Sequence, residues 1–522
     1  MHGGFRSLVL AAALALPSVP AAAADLRIGL GLEPTSIDPH YHNLGPNSSF
    51  SRHVFDRLIH QDENQKLQPA LALSWKAIQD TVWEFKLRPG VTWHDGSPFT
   101  VDDVLFTMQR LPNVPNSPSS FALYVKGKTF IKVDDLTLHV KTESPYPLMP
   151  TDISALIIVS KKHAENASTD NFTQGKAAGG TGPYRPVEWV PGDRIVVEAN
   201  KAYWGDKPRW DKVIFKPIET GTGRVAALLA GDVDLIDVVP TTDIANLKND
   251  RRVSVSSGIS NRVMYLHMEQ EKDEPPLVTD KAGKPLAKNP FKDLRVRQAI
   301  SKAINRPAIV ERVMEGVSVA SGQLLPPGFF AVSPNLKVEP YDPQGAKKLL
   351  AEAGYPDGFV TVLATPNGRY VNDVQVAETL AQMLSRVGIE TKVEQMPPAV
   401  FFTRATKRDF PFISLGWGSE TGEASSPLKA LFATFDRDTG MGAANRGRYS
   451  NPKLDAMLSE ALRTVDDAKR EKILIAATDL AIGDLGIIPL HFQVNSWATR
   501  AAYKYVPRTD EYTLADFVVP AK

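Results

Sequence analysis

The residues best suited to chemistry are few and mostly unaccompanied. Asp438-Thr439-Gly440 spells the triplet of acid proteases, but that chemistry needs two aspartates sharing a proton, and no second copy occurs in the chain. Gly179-Gly180-Thr181-Gly182 is glycine-rich enough for a phosphate loop, yet no Lys-Ser/Thr follows it. Pro183 also removes a backbone N–H where an anion cradle needs one, so the segment reads as a turn. His40 and His42 could share a metal ion, but no carboxylate or histidine at metal-site spacing completes the set, and a solvated loop is the expectation. G-x-S-x-G and H-E-x-x-H are absent, and the ten histidines are scattered. There is no cysteine, which removes thiolate nucleophiles, thiolate metal sites, iron–sulfur clusters and disulfides together. The expectation is a protein with no catalytic residues, no metal site and no cofactor.

Composition bounds the partners. The chain has 522 residues, which at roughly 150 per domain exceeds any single small module. Apolar residues make up 43% and charged residues 23%, which points to a folded rather than a disordered chain. Lys and Arg number 60 against 59 Asp and Glu, so no basic footprint for nucleic acid or an anionic membrane is present. Arg6, the apolar run Leu8 to Leu16 and the small residues Ala21 to Ala24 before Asp25 form the pattern of a signal peptide over residues 1–24. The apolar run is too short to span a bilayer, and no cysteine at the cleavage point offers a lipid anchor. Export to a Gram-negative periplasm, with cleavage after Ala24, is the reading.

The elements that must position any site alternate between helix and strand, which favours an α/β class. Thr81 to Arg88 puts Trp83, Phe85 and Leu87 on one face and Glu84, Lys86 and Arg88 on the other, the period of a half-buried strand. Asp95-Gly96 then turns the chain, and Thr100 with Asp103 forms a capping box for a helix carrying Val104, Leu105, Met108 and Leu111. Asp342-Pro343 opens a helix that Gly354 closes. Asn372 to Gly388 predicts another helix, followed by a strand over Ile389 to Val393. Asn451-Pro452 caps a further helix, and the Pro-rich Lys272 to Pro290 reads as a linker.

Residues Pro69 to Val104, PALALSWKAIQDTVWEFKLRPGVTWHDGSPFTVDDV, carry the most specific pattern: a Leu-Ala-x-Ser-Trp opening, a strand, and an H-D-G-x-P-F-T turn into a helix. Further blocks are EPTSIDP (33–39), GTGPY (180–184), NKAYW (200–204), FKDLRVRQAISKAINR (291–306), YDPQGAKKLLAEAGYP (341–356) and the segment 449–458. In these blocks the chain resembles the family 5 extracellular solute-binding proteins of ABC importers, the group of periplasmic dipeptide-, oligopeptide- and nickel-binding proteins. The resemblance implies a two-lobed periplasmic-binding-protein fold of α/β class, with hinge strands and an extra subdomain inserted in lobe one. On that plan lobe one takes residues 25–67, 186–268 and 489–522, the inserted subdomain 68–185, and lobe two 269–488. The hinge crossings are expected near Val263 to Met268 and Ile487 to Phe492.

The same resemblance implies a monomeric, non-catalytic protein that captures a small solute, with a short peptide expected. A membrane permease and its cytoplasmic ATPase would be its partners. An opine, a sugar conjugate or a metal complex is the alternative solute, and an exported hydrolase the more distant alternative. In peptide-binding relatives an acidic residue after a Gly-Trp in lobe two meets the ligand amine. Here the run is Gly416-Trp417-Gly418-Ser419-Glu420-Thr421-Gly422-Glu423. Glu423 falls where a dipeptide binder places its aspartate, and Glu420 is the second candidate. Arg369, in Pro366-Asn367-Gly368-Arg369-Tyr370, resembles the position that grips the ligand carboxylate, and its guanidinium fork suits that geometry. Trp417 is expected as a cleft wall.

Overall fold

Local signals become elements where the sequence alternates most cleanly. In the computed structural model, which describes residues 25–521, the strand Val82–Leu87 buries Trp83, Phe85 and Leu87. It pairs antiparallel with Ala72–Gln79 and Thr137–Thr142, and Lys128–Asp134 completes a four-stranded sheet. The helix Val101–Arg110 packs on this sheet and begins as expected: Asp102 N donates to Thr100 Oγ1 at 3.3 Å and Thr100 N to Asp103 Oδ2 at 3.1 Å. These elements share a core built from Phe85, Trp93, Val104, Met108 and Leu138.

A second sheet of eleven strands runs through the rest of the molecule. Its strand order is Ile389–Met396, Phe359–Pro366, Phe412–Gly418, Val253–Met268, Ile487–Arg500, Leu235–Ile236, Asp25–Leu30, Lys212–Pro217, Arg194–Ala199 and Tyr184–Val190, with Ser318–Ala320 pairing on Ile487–Arg500. Val253–Met268 and Ile487–Arg500 are the longest strands, 16 and 14 residues, and pair with each other antiparallel. Apolar side chains gather separately at their two ends. Leu26, Phe50, Phe55, Phe215 and Trp497 belong to one core. Tyr265, Phe291, Leu363, Phe412, Leu431 and Ile488 belong to another. The fold is the two-lobed periplasmic-binding-protein arrangement, with the two long strands common to both lobes. Their register breaks between Ile259 and Val263, just before the run expected for the crossing. Among the described residues no helix is long and apolar enough to cross a membrane. The signal-peptide segment 1–24 lies outside the described residues.

Several local expectations are corrected by long-range packing. His40 is buried rather than solvated: one ring nitrogen meets Ile157 O at 2.8 Å, the other Arg110 Nη1 at 2.9 Å, and Asp38 completes the group. Burial above all, with Arg110 beside it, pushes its imidazole down to about 4, so it packs neutral. The 272–290 stretch is no free linker, because Thr279 exchanges backbone hydrogen bonds with Val360 at 3.0 and 2.8 Å and Asn289 Nδ2 donates to Glu269 O and Lys272 O, both at 2.8 Å. The helix expected from Asn372 to Gly388 spans Asp373–Ser385. The glycine-rich turn has a packing role, since a Cβ on Gly180 would sit 1.8 Å from Val54 O and one on Gly182 2.5 Å from Val54 C. Asp95 serves its turn, accepting from Ser97 N at 2.9 Å, Lys162 Nζ at 2.7 Å and His163 Nε2 at 3.0 Å.

Candidate ligand-binding cleft

The strand Phe412–Gly418 delivers the Gly-Trp run to the boundary between the lobes. Register places Trp417 opposite Val263, and the half-buried indole packs against the lobe-two core. Its Nε1 is shielded from water and has no acceptor among the described residues. Beyond Gly418 the chain turns. Asn261 holds the turn, accepting from Ser419 N at 3.2 Å and donating from Nδ2 to Ser419 O at 3.1 Å. Lobe one grips the same turn: Gln65 Nε2 donates to Ser419 O at 3.2 Å and Glu420 O at 3.0 Å, and Gln61 Nε2 to Glu420 O at 3.2 Å. Gly422, at φ 69°, permits this closeness, because a Cβ there would lie 3.3 Å from Gln65 O. A further bond between the lobes runs from Asn372 Nδ2 to Thr241 Oγ1 at 3.0 Å.

Glu420 and Glu423 diverge at this turn. Glu423 is 4% exposed and both carboxylate oxygens are taken: Oε2 accepts from Arg470 Nη1 at 2.7 Å and Oε1 from the Ser425 hydroxyl. Arg470 is itself fixed over the Phe330 ring at 4.5 Å. Glu420 has no hydrogen-bond or ion-pair partner for its carboxylate among the described residues. It is accessible to water, yet protein surrounds it closely enough that burial raises its carboxyl above the ordinary range, against the pull of Arg57 and Arg262.

Arg369 lies near enough to the Arg262–Glu511 pair for its charge to act on Glu511. Arg262 Nη2 and Nε meet Glu511 at 2.9 and 3.1 Å. Burial works to raise the Glu511 carboxyl, but Arg262 outweighs it and, with Arg369 adding its charge, holds it low. The Arg369 backbone N–H is anchored on Asp373 Oδ2 at 2.9 Å, while its guanidinium lies exposed over the Tyr370 ring at 5.0 Å, without an acceptor among the described residues. The arrangement thus brings Glu420, Arg369 and Trp417 to the lobe boundary and engages Glu423 inside lobe two. Sequence reasoning missed Gln61, Gln65, Asn261, Arg262 and Glu511. The one local trace was the polar pair Asn261-Arg262 just before the apolar run Val263 to Met268. No group of three or more potential metal ligands occurs among the described residues.

The comparisons with known proteins now apply. Residues 66–438 match the family description "Bacterial extracellular solute-binding proteins, family 5 Middle". The chain belongs to this family. The Glutathione-binding protein GsiB of Pectobacterium atrosepticum is 30% identical over 474 residues, covering 88% of this chain and 86% of that protein. Heme-binding protein A of Haemophilus influenzae is 28% identical over 471 residues, covering 85% and 82%. Among solved structures, the periplasmic binding protein DppA of Helicobacter pylori in complex with the peptide STSA superposes with a TM-score of 0.77 at 23% identity, covering 96% of this chain and 98% of that one. These relatives are solute-binding proteins, and the family 5 fold is the two-lobed fold described above.

Proposed function

We propose that this family 5 protein captures a short peptide between its lobes in the periplasm, after export by residues 1–24, and hands it as a monomer to an inner-membrane permease with its cytoplasmic ATPase. The observation that carries the reading is a pair of opposite charges at the lobe boundary, Glu420 and Arg369, each without a hydrogen-bond or ion-pair partner for its charged group among the described residues. Burying a charge is costly unless it meets a partner, and a zwitterionic peptide supplies both complements at once. Glu420 takes the ammonium, Arg369 the carboxylate, and Trp417 forms a wall of the cleft. Glu423 supports the turn through Arg470. Lobe one takes residues 25–67, 186–268 and 489–522, the inserted subdomain 68–185, and lobe two 269–488. Glutathione in the name of one relative and the peptide STSA in the DppA complex are consistent with a small peptide, whereas the name of the other relative points to heme.

Calorimetry with free, N-acetylated and C-amidated tripeptides tests the reading. Glu420→Gln should weaken free peptides about 30-fold or more while sparing N-acetylated ones, and Arg369→Ala should do the same for free against C-amidated peptides. Because the Glu420 carboxyl is raised, the ammonium contact is complete above that raised value and fades as pH falls through it, beginning above the ordinary glutamate range near ~4.3. Equal losses for free and blocked peptides would remove both residues from the termini.

A further inference from the structure

The inserted subdomain carries a groove of its own. The helix Val101–Arg110, the short helix Ala122–Val125 and the strand Lys128–Asp134 enclose a cavity of about 780 Å³ between them. Buried Met108 and half-buried Leu105, Val125 and Phe130 supply its apolar floor, and Leu123 stands at its rim, 61% exposed. The strand is the last of its four-stranded sheet, so among the described residues no further strand covers its outer edge. The short helix separates this groove from the cleft between the lobes. Burial, and then the Glu420 carboxylate, raise the Tyr124 phenol, so Tyr124 looks toward the cleft, whereas its neighbours Leu123 and Val125 line the groove.

The lining suits one long apolar group that ends in one negative charge. Its volume lies within the ~300–1,000 Å³ of small-molecule sites, and its walls are mostly apolar. Two lysines line it and no acidic residue does. Lys128 is already committed, its Nζ bonding Asp152 Oδ2 at 2.7 Å, but the Lys126 ammonium is exposed and has no acceptor among the described residues. Gln109 and Thr129 are the remaining polar side chains of the lining. A peptide or a sugar would bring more polar groups than these two can pair, and each one buried unpaired is costly. An alkyl chain brings none, and leaves its head for Lys126.

We propose that this groove binds a single-chain fatty acid, with its alkyl chain along Leu105, Met108 and Phe130 and its carboxylate at the Lys126 ammonium. The site is separate from the peptide cleft, and neither reading depends on the other.

Calorimetry of the full chain with octanoate, decanoate and dodecanoate, each below its micelle concentration, tests the site. Affinity should rise about 4-fold for each added methylene. Decanoate should bind about 2–5-fold tighter than decanol, the gain expected of a solvent-exposed ion pair, and Lys126→Gln should erase that difference. Leu123→Asp should weaken every acid about 10-fold or more by setting a charge against the chain, with an unchanged thermal midpoint because the position is open to solvent. No saturable binding, equal affinity along the series, or an acid–alcohol difference that survives Lys126→Gln would overturn the proposal. Acid binding that Leu123→Asp leaves untouched would place it elsewhere on the molecule and overturn the groove. A second copy of the chain is the competing occupant: a mass that rises with protein concentration in light scattering, is restored to that of one chain by Leu123→Asp, and comes without acid binding would also overturn it.

Discussion

At the residue scale, Glu420 and Glu423 differ in their partners: the Glu423 carboxylate is bonded by Arg470 and Ser425, while that of Glu420 has no partner among the described residues. Glu423 occupies the place that the family resemblance pointed to, but its partner Arg470 comes from a helix 47 residues further along, and no local pattern announces such a pairing. Removing Glu423 leaves the Arg470 guanidinium buried with its main partner gone. Glu423→Ala should therefore cost about 3–5 kcal/mol of stability, seen as a lower midpoint in thermal unfolding, while the folded fraction keeps its peptide affinity. Loss of affinity at an unchanged midpoint would return Glu423 to the cleft. Arg369 and Trp417 were singled out on the family resemblance of their local runs, and the structure places both at the lobe boundary. Gln61 and Gln65 were not, since their role is to meet a turn more than 350 residues away.

At the element scale, what could be read in advance was whatever neighbours in sequence decide. The Thr100–Asp103 capping box and the alternation of Val82–Leu87 are set within a few residues, and both took the expected form. His40 and the 272–290 stretch were misread for the opposite reason: their partners, Ile157, Arg110 and Val360, are distant, and packing against them overrides a polar or Pro-rich composition. The hinge shows both effects. Its two apolar runs were visible, but the point where they part was not. Pairing between the long strands lapses from Ser260 to Arg262, between stretches where ladder bonds hold. Arg262 stays paired with Gly418, and Asn261 N donates to Thr509 O at 2.8 Å. A segment released from one of its two neighbouring strands can still absorb backbone rotation more easily than one paired on both sides. Amide hydrogen exchange at 260–262 should run faster than at 264–267 without ligand and slow when peptide binds. Uniform protection along the strand in both states would place the bending elsewhere.

At the scale of the whole molecule, the contacts between the lobes include neutral hydrogen bonds, from Gln61 and Gln65 to the Glu420 turn, from Asn261 to Ser419 and from Asn372 to Thr241. They also include apolar packing of Val317 and Val465 on the cores of lobe one. Such hydrogen bonds contribute roughly 1 kcal/mol each. On the proposed reading, the solute supplies what closure still needs. Driving an equilibrium from 1:99 to 99:1 takes about 5.5 kcal/mol of differential binding, and a micromolar ligand makes about 8 kcal/mol available. Small-angle scattering of the full chain, across a titration with the tripeptide that calorimetry shows to bind, tests capture by closure most directly. The radius of gyration should fall as sites fill and level off at saturation. A radius unchanged at saturating peptide would contradict closure of the lobes on the solute.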